Sequence, residues 1–235
     1  MNHPKDRDQW WKHRLETEPP LQYPAAMVNI TNFCNLSCKH CFVFQNGNPN
    51  EKEDQKQETA LLHQLEKIRD RHGIYGIVWM GGEPMIRWKL LEKGVKFFHK
   101  NVITTNGTIP FKDFGKNVQY VISLDGPEDI NDEVRGKGVY QKVIQNIASL
   151  PQDFSCVLQV QCVAHKKNMH RLEEFVDTLR STRINGVSFS FYSPALNEHN
   201  EYAWNNIEER EPVLDTIIHL KKKYPGYIWN SNRAI

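Results

Sequence analysis

The sequence predicts an α/β fold: an open, partial (β/α)6 barrel, a curved parallel sheet wrapped by outer helices. Three observations carry that prediction. Short apolar runs of strand length alternate with longer segments whose apolar residues recur at helical spacing. The β-α alternation repeats about six times in about 200 residues, which implies a parallel sheet with helices packed outside it. Six units are too few to close an eight-stranded barrel, and right-handed crossovers make the sheet curl one way.

The elements follow in order. MVNIT (27–31) is a short apolar run of strand length. ETALLHQLEKIRDRH (58–72) sets Leu61, Leu62, Leu65 and Ile68 on one helical face. GIVWM (76–80) is a buried-type strand, KLLEKGVKFFHK (89–100) a helix, and NVITTNG (101–107) a strand running into an Asn-Gly turn. VQYVISLDG (118–126) is a strand with a turn at its end, followed by a helix with Val139, Val143, Ile144 and Ile147 as its stripe. CVLQVQCVA (156–164) alternates as a strand does, and HRLEEFVDTLRS (170–181) places Leu172, Phe175, Val176 and Leu179 at helical spacing. GVSFSFY (186–192) is the sixth strand, and the last helix runs over 210–222 until Tyr224-Pro225-Gly226 stops it. No linker, repeat or low-complexity tract divides the chain.

Composition narrows the function. At 235 residues a folded chain buries roughly 70–75% of the surface its unfolded form exposes, so no disulfide staple is needed. Lys and Arg number 30 against 28 Asp and Glu, a balance of +2 that gives no warrant for nucleic-acid or anionic-membrane binding. No stretch approaches the ~20 apolar residues of a membrane span. The N-terminus, MNHPKDRDQWWKHRLE, is too charged for a signal peptide. A cytoplasmic protein is expected. Five cysteines exclude a complete disulfide framework, because the number is odd.

Three of the five, Cys34, Cys38 and Cys41, fall within eight residues. In a reducing compartment such a cluster points to metal or redox chemistry rather than bridges. Structural zinc wants four ligands. The nearest fourth is His40, directly beside Cys41 and awkwardly placed to ligate the same ion. Buried free thiols are the other plain alternative. Thiolates are the usual ligands of iron–sulfur clusters, and with a four-iron cubane three cysteines leave one iron open to an outside ligand.

The other candidates follow successive strand ends, where ligand chemistry gathers in such folds. Gly81-Gly82-Glu83-Pro84 comes after strand 2. Paired glycines let backbone approach a ligand closely, and Glu83 supplies acceptors for an ammonium group. An ordinary βα turn with Pro84 just inside the next helix is the alternative. Thr105-Asn106-Gly107 after strand 3 and Asp125-Gly126-Pro127 after strand 4 also read as turns. Ser123 and Asp125 stand two apart, so on a strand both would face one side. Arg135 has the fork to grip a carboxylate, or is a solvated charge beside Glu133. Phe42 and Phe44 shield the cysteines or simply pack. His165 faces the rim or is an ordinary buried histidine. Cys156 and Cys162 lie roughly 20 Å apart along a strand and read as core.

CNLSCKHC (34–41), GGEP (81–84), TTNG (104–107), SLDGP (123–127) and RGKG (135–138) together resemble the radical S-adenosylmethionine superfamily. The closest resemblance is to the branch of peptide-modifying maturases and anaerobic sulfatase-maturing enzymes, and it covers residues 27–192. The resemblance implies a [4Fe–4S] cluster on Cys34, Cys38 and Cys41, with S-adenosylmethionine chelating the fourth iron through its amino and carboxylate groups. Reductive cleavage then yields methionine and a 5′-deoxyadenosyl radical that abstracts hydrogen from a substrate. The implied cofactor-binding residues are Gly81, Gly82, Glu83 and Pro84 at the methionyl amine, and Thr105, Asn106, Ser123, Asp125 and Arg135 toward the ribose or carboxylate. His40 stands where relatives commonly carry Tyr or Phe beside the adenine. No catalytic residue is implied beyond the cluster. The implied partners are a one-electron donor such as flavodoxin or ferredoxin and a peptide or protein substrate, with no nucleic acid and no membrane. A small-molecule substrate is the second reading, and a non-catalytic iron–sulfur module the third.

Residues 1–26 read as an N-terminal extension, 27–222 as the barrel domain and 223–235 as the start of a C-terminal extension. One cluster is expected, since no cysteine follows Cys162.

Overall fold

The computed structural model describes residues 23–44, 58–194 and 200–231. Most of the expected N-terminal extension and the last four residues lie outside them. The elements in chain order are β1 (Ala25–Asn29), α1 (Glu58–His72), β2 (Gly76–Met80), α2 (Trp88–Gly94), β3 (Lys100–Thr105) and β4 (Val118–Ser123). They continue as α3 (Glu128–Arg135), α4 (Val139–Ala148), β5 (Val157–Ala164), α5 (Leu172–Leu179), β6 (Gly186–Phe191) and α6 (Glu211–Lys223).

The six strands form one sheet in the order β1-β2-β3-β4-β5-β6, and every neighbouring pair is parallel. Each strand therefore lies beside its predecessor, and crossovers of one hand place the helices on one face. That is the expected open, partial barrel. The buried positions alternate along the strands. Ile77 and Trp79, Ile103, Tyr120 and Ile122, Leu158 and Val160, and Val187 and Phe189 are all buried core residues. The intervening positions, among them Val78, Met80, Val102, Val121, Ser123, Gln161 and Ser188, are only half-buried and line the concave face. A parallel sheet covered on both faces reads as a continuous apolar run; here the period of two survives because only one face carries helices.

The concave face is itself divided. Over β2 and β3 it presents Val78, Met80, Val102 and Thr104, whereas β4 to β6 present a hydrogen-bonded ladder of neutral polar side chains. Gln119 donates to Gln159, Gln159 to Ser188, and Ser188 to Gln161 at 2.6 Å. Gln161 donates in turn to Ser190 at 3.2 Å.

Three features differ from the segments read in the sequence, and a fourth, in the β3–β4 crossover, departs from strict β-α alternation. The helix expected over 89–100 is α2, which ends at Gly94 after a 3-10 turn over Pro84–Arg87. A Cβ at Gly94 would stand 2.5 Å from the Trp79 ring, so glycine sets how closely α2 approaches β2. The carbonyls of Val95 and Phe98 are then taken by the Asn101 amide at 3.0 and 3.1 Å, a side-chain cap for orphaned helix-end acceptors. The β3–β4 crossover contains no helix. Phe111 and Phe114 pack on Tyr120 instead, and the Tyr120 hydroxyl donates to Lys112 O at 2.8 Å. Between β4 and β5 there are two helices rather than one. Gly136 and Gly138 break them with φ of 119° and 80°, a region that favours glycine. Finally, the segment after α6 extends the sheet at the β6 edge: Val187 N–H donates to Tyr227 O and Trp229 N–H to Val187 O, both at 2.8 Å.

Candidate functional site

A cavity of about 350 Å³ opens at the C-terminal ends of the strands. Cys34, Cys38 and Cys41 all line it, together with His40, Gly81, Gly82, Thr105, Asn106, Ser123 and Arg135. The four rim segments singled out in the sequence thus converge. Glu83, Pro84 and Asp125 do not reach the cavity wall; they stand behind it and are fully or nearly fully buried.

The cysteine loop follows β1 and is seated first on the Gly-Gly turn. Gly82 N–H donates to Thr31 O and Glu83 N–H to Phe33 O, each at 2.8 Å. A Cβ at Gly82 would lie 2.3 Å from Phe33 O and 2.8 Å from Cys34 N. The glycine is required because the cysteine loop's own backbone fills that space. The Cys34 sulfur accepts from Leu36 N–H at 3.4 Å and from the Asn106 amide at 3.8 Å. Burial pushes the Cys34 thiol up to about 11 and also raises that of Cys38. Ligation requires thiolates, so binding a metal here releases protons.

Glu83 joins two rims. Its carboxylate accepts from Thr105 Oγ1 at 2.7 Å, from Asn106 N–H at 2.7 Å and from Met85 N–H at 2.9 Å. All three donors are neutral. Burial outweighs these bonds and pushes Glu83 up to about 7.

At the other end of the loop the pattern is ionic. His40 Nε2 lies 2.7 Å from Asp125 Oδ2, and Arg135 Nε lies 2.7 Å from the same oxygen. Asp125 Oδ1 accepts from Val163 N–H at 3.0 Å. Burial alone would raise the Asp125 carboxyl, but the Arg135 guanidinium and His40 more than offset it and hold it well below the usual carboxylate range. Ser123 and Asp125 do not share a face, because β4 ends at Ser123 and the alternation stops there. Nor is Arg135 paired with Glu133, whose partner is Lys167. His165 has no exposed surface and packs edge-on against the His40 ring at 6.4 Å. Burial pushes it down to about 4.

The strand-end rule, applied as far as β4, overlooked the other wall of the cavity. Gln161, Val163, Ser190, Phe191, Tyr192 and Ser193 come from the ends of β5 and β6. Tyr192 stacks on His40 with ring centroids 6.1 Å apart. Phe42 is 67% exposed at the mouth.

The donor set suits an iron–sulfur cubane. Three thiols face one cavity, yet no three His, Cys, Asp or Glu side chains among the described residues are grouped to hold a single metal ion. A cubane takes its thiolates on separate irons, and the Gly81-Gly82 backbone beside them leaves room for a ligand.

Comparison with known proteins identifies the family. The family model described as the Radical SAM superfamily matches residues 28–179. The Fe-coproporphyrin III synthase of Methanosarcina barkeri is 28% identical, across 85% of this chain and 52% of its own. The mycofactocin maturase of Mycolicibacterium smegmatis is also 28% identical, across 71% of this chain and 46% of its own. Among solved structures, Streptococcus suis SuiB bound to its precursor peptide superposes with a TM-score of 0.70 at 18% identity, covering 97% of this chain and 54% of SuiB. The chain spans about half the length of each of these three. Family match, fold and rim geometry coincide: this chain belongs to the radical SAM superfamily, whose enzymes use a [4Fe–4S] cluster and S-adenosylmethionine.

Proposed function

We propose that Cys34, Cys38 and Cys41 hold the cluster and that the cavity beside them takes S-adenosylmethionine. The observation that carries this reading is the convergence of all three thiols with the rims of β2, β3 and β4 on one cavity. When bound, the reduced cluster supplies the electron that splits the sulfonium bond and releases a 5′-deoxyadenosyl radical.

The chain's own residues divide the remaining work. Backbone groups of Gly81 and Gly82 face the cavity and take the methionyl amine. Glu83 stands behind them with its oxygens already bonded, so it acts on the ammonium through its charge rather than by direct contact. Pro84 starts the 3-10 turn that seats the Glu83 carboxylate on Met85 N–H. Asn106 and Ser123 offer amide and hydroxyl groups toward the ribose and carboxylate, while Thr105, whose hydroxyl is committed to Glu83, holds that carboxylate in place. Phe191 and Tyr192 exclude water from the radical's side of the cavity.

The substrate reading is a peptide. The wall formed by Gln161, Ser190 and Ser193 is neutral and hydrogen-bonding, and its lining cation, Arg135, is committed to Asp125. That suits backbone amides better than a phosphate or polycarboxylate. A maturase among the relatives and the fold neighbour described with its precursor peptide support the same class. A porphyrin-type small molecule is the second reading, favoured by the synthase among the relatives. A one-electron donor such as flavodoxin or ferredoxin is the partner this chemistry needs. No helix among the described residues is long and apolar enough to cross a membrane.

The test is anaerobic reconstitution. Wild type is expected to take up about 4 irons per chain, the cubane stoichiometry, and to release 5′-deoxyadenosine on reduction with S-adenosylmethionine. Each of C34A, C38A and C41A should lose the brown chromophore. Full iron content in the three variants would overturn the assignment.

A further inference from the structure

We propose that Asp125 and His40 form a bolt that positions the Cys38–Cys41 turn, with His40, besides lining the cavity, serving as a hydrogen-bond donor to the protein. The inference rests on the cluster assignment above.

The geometry is a closed set of contacts around one carboxylate. Asp125 is fully buried. Its N–H donates to Asn131 Oδ1 at 3.1 Å, anchoring it to α3. Its carbonyl accepts from the Asn168 amide at 2.7 Å, and Oδ1 accepts from Val163 N–H at the end of β5. With those positions fixed, Oδ2 can serve only the group brought to it. That group is His40 Nε2 at 2.7 Å, joined by Arg135. The same turn is tied once more through its backbone, where Lys39 N–H donates to Val134 O at 2.9 Å. Residues 38–41 are thus pinned to β4, β5 and α3 at once.

Ring chemistry makes this contact more than packing. His40 is 9% exposed, one ring nitrogen is engaged by Asp125, and the ring packs in parallel against Tyr192. A Phe at position 40 could pack against Tyr192 but has no donor for Asp125. A histidine here therefore gives the loop a contact that a hydrocarbon ring cannot. Arg135 completes the design. It lines the cavity beside Cys38 and shares the Asp125 oxygen, so the carboxylate also holds a fixed positive charge next to a thiolate ligand. Mutation of groups that orient a metal's ligands typically costs 10–100-fold in metal affinity, and the bolt orients the turn that carries two of them.

The experiment compares wild type with H40F, H40Q, D125N and the double variant H40F/D125N, each reconstituted with iron and sulfide without oxygen. Two signals are followed: the rate of iron loss to a ferrous chelator, and the paramagnetic resonance spectrum of the reduced cluster. H40F and D125N should each lose iron about 10-fold faster or more and show a displaced spectrum. The double variant should be no worse than D125N alone, because the His40 contact is then being removed twice. H40Q keeps an N–H donor and should recover much of both signals. A purely structural role would lower the melting temperature of the metal-free protein but leave the loaded cluster's spectrum unchanged. Wild-type iron loss and spectrum in H40F would overturn the bolt, and H40F tests it even where D125N folds poorly. Retention of iron by C38A would instead overturn the cluster assignment, and the bolt with it. Loss of iron by C38A with wild-type behaviour in H40F overturns the bolt alone.

Discussion

Glu83 and Asp125 flank the cysteine loop, one at its Cys34 end and one at its Cys41 end. Both carboxylates are completely buried, and they are accommodated in opposite ways. Asp125 is met by a guanidinium and an imidazole, which keep it ionised. Glu83 is met by one hydroxyl and two backbone N–H groups, which are not enough to overcome burial, and its pKa rises to about 7. The contrast teaches that the two ends of the loop are held by different physics. The Asp125 end is an ion cluster whose carboxylate has its countercharge within the protein. The Glu83 end lacks a compensating positive charge, and it lies where the proposed ligand brings an ammonium group.

The largest expected effect tests the complete end. Removing one partner of a buried ion pair typically costs 3–5 kcal/mol, because the other charge is left unpaired. D125A, which strands Arg135, should therefore destabilise the metal-free protein by about 3–5 kcal/mol in denaturant unfolding at pH 7. A loss below about 1 kcal/mol would mean that Arg135 finds water or another partner, and the comparison would fail.

A smaller effect is expected at the other end. In G82A the added Cβ would meet backbone atoms of Phe33 and Cys34, which cannot swing aside as a side chain does. Overpacking of this kind costs about 1–3 kcal/mol. The melting temperature should fall, and iron uptake should fall with it, since the atom displaced belongs to the cysteine loop. Iron uptake equal to wild type would show that the Gly-Gly turn and the loop move independently.

The smallest effect is the most diagnostic, because it concerns pH. Glu83 rises from an ordinary value of 4.5 to about 7 on folding. The folded state then binds more protons than the unfolded state between those two values, so this group's contribution to stability falls as pH rises from about 4.5 to about 7. E83Q removes that dependence, so its stability relative to wild type should improve across the window. Asp125 behaves oppositely: its pKa is depressed on folding, so its contribution is present above the ordinary aspartate value and is lost only on acidification. The deficit of D125N should stay level between pH 5 and 8. Unfolding curves for both variants at pH 5, 6, 7 and 8 check the pair of expectations together. A level E83Q difference would show that Glu83 is ionised throughout.

Much of this was legible in the chain and some was not. Alternating periods of two and 3.6 specify a parallel sheet without help from tertiary contacts, because strands covered by helices on one face must alternate. GIVWM and the 58–72 helix fall where periodicity places them. Three cysteines in eight residues are a local signal, so their convergence needed no fold. Short breaks were harder. Position 94 is glycine because Trp79, fifteen positions earlier, occupies the space a side chain would need, and no local pattern records that.

Near neighbours and the strand-end rule suffice for the strand order, the cysteine loop and the first four rims on which ligand chemistry gathers. Which rim residues face the cavity depends on contacts made in the folded chain. Glu83 turns inward because Thr105 and Asn106, on the adjacent strand's end, offer it donors. Asp125 leaves the concave face because β4 ends two residues before it. Arg135 abandons its sequence neighbour Glu133 for Asp125, and His40 finds the same oxygen from 85 residues away. Burial is the physical reason in each case. A polar group taken out of water must find a partner within hydrogen-bond reach, and that reach is measured through space rather than along the chain.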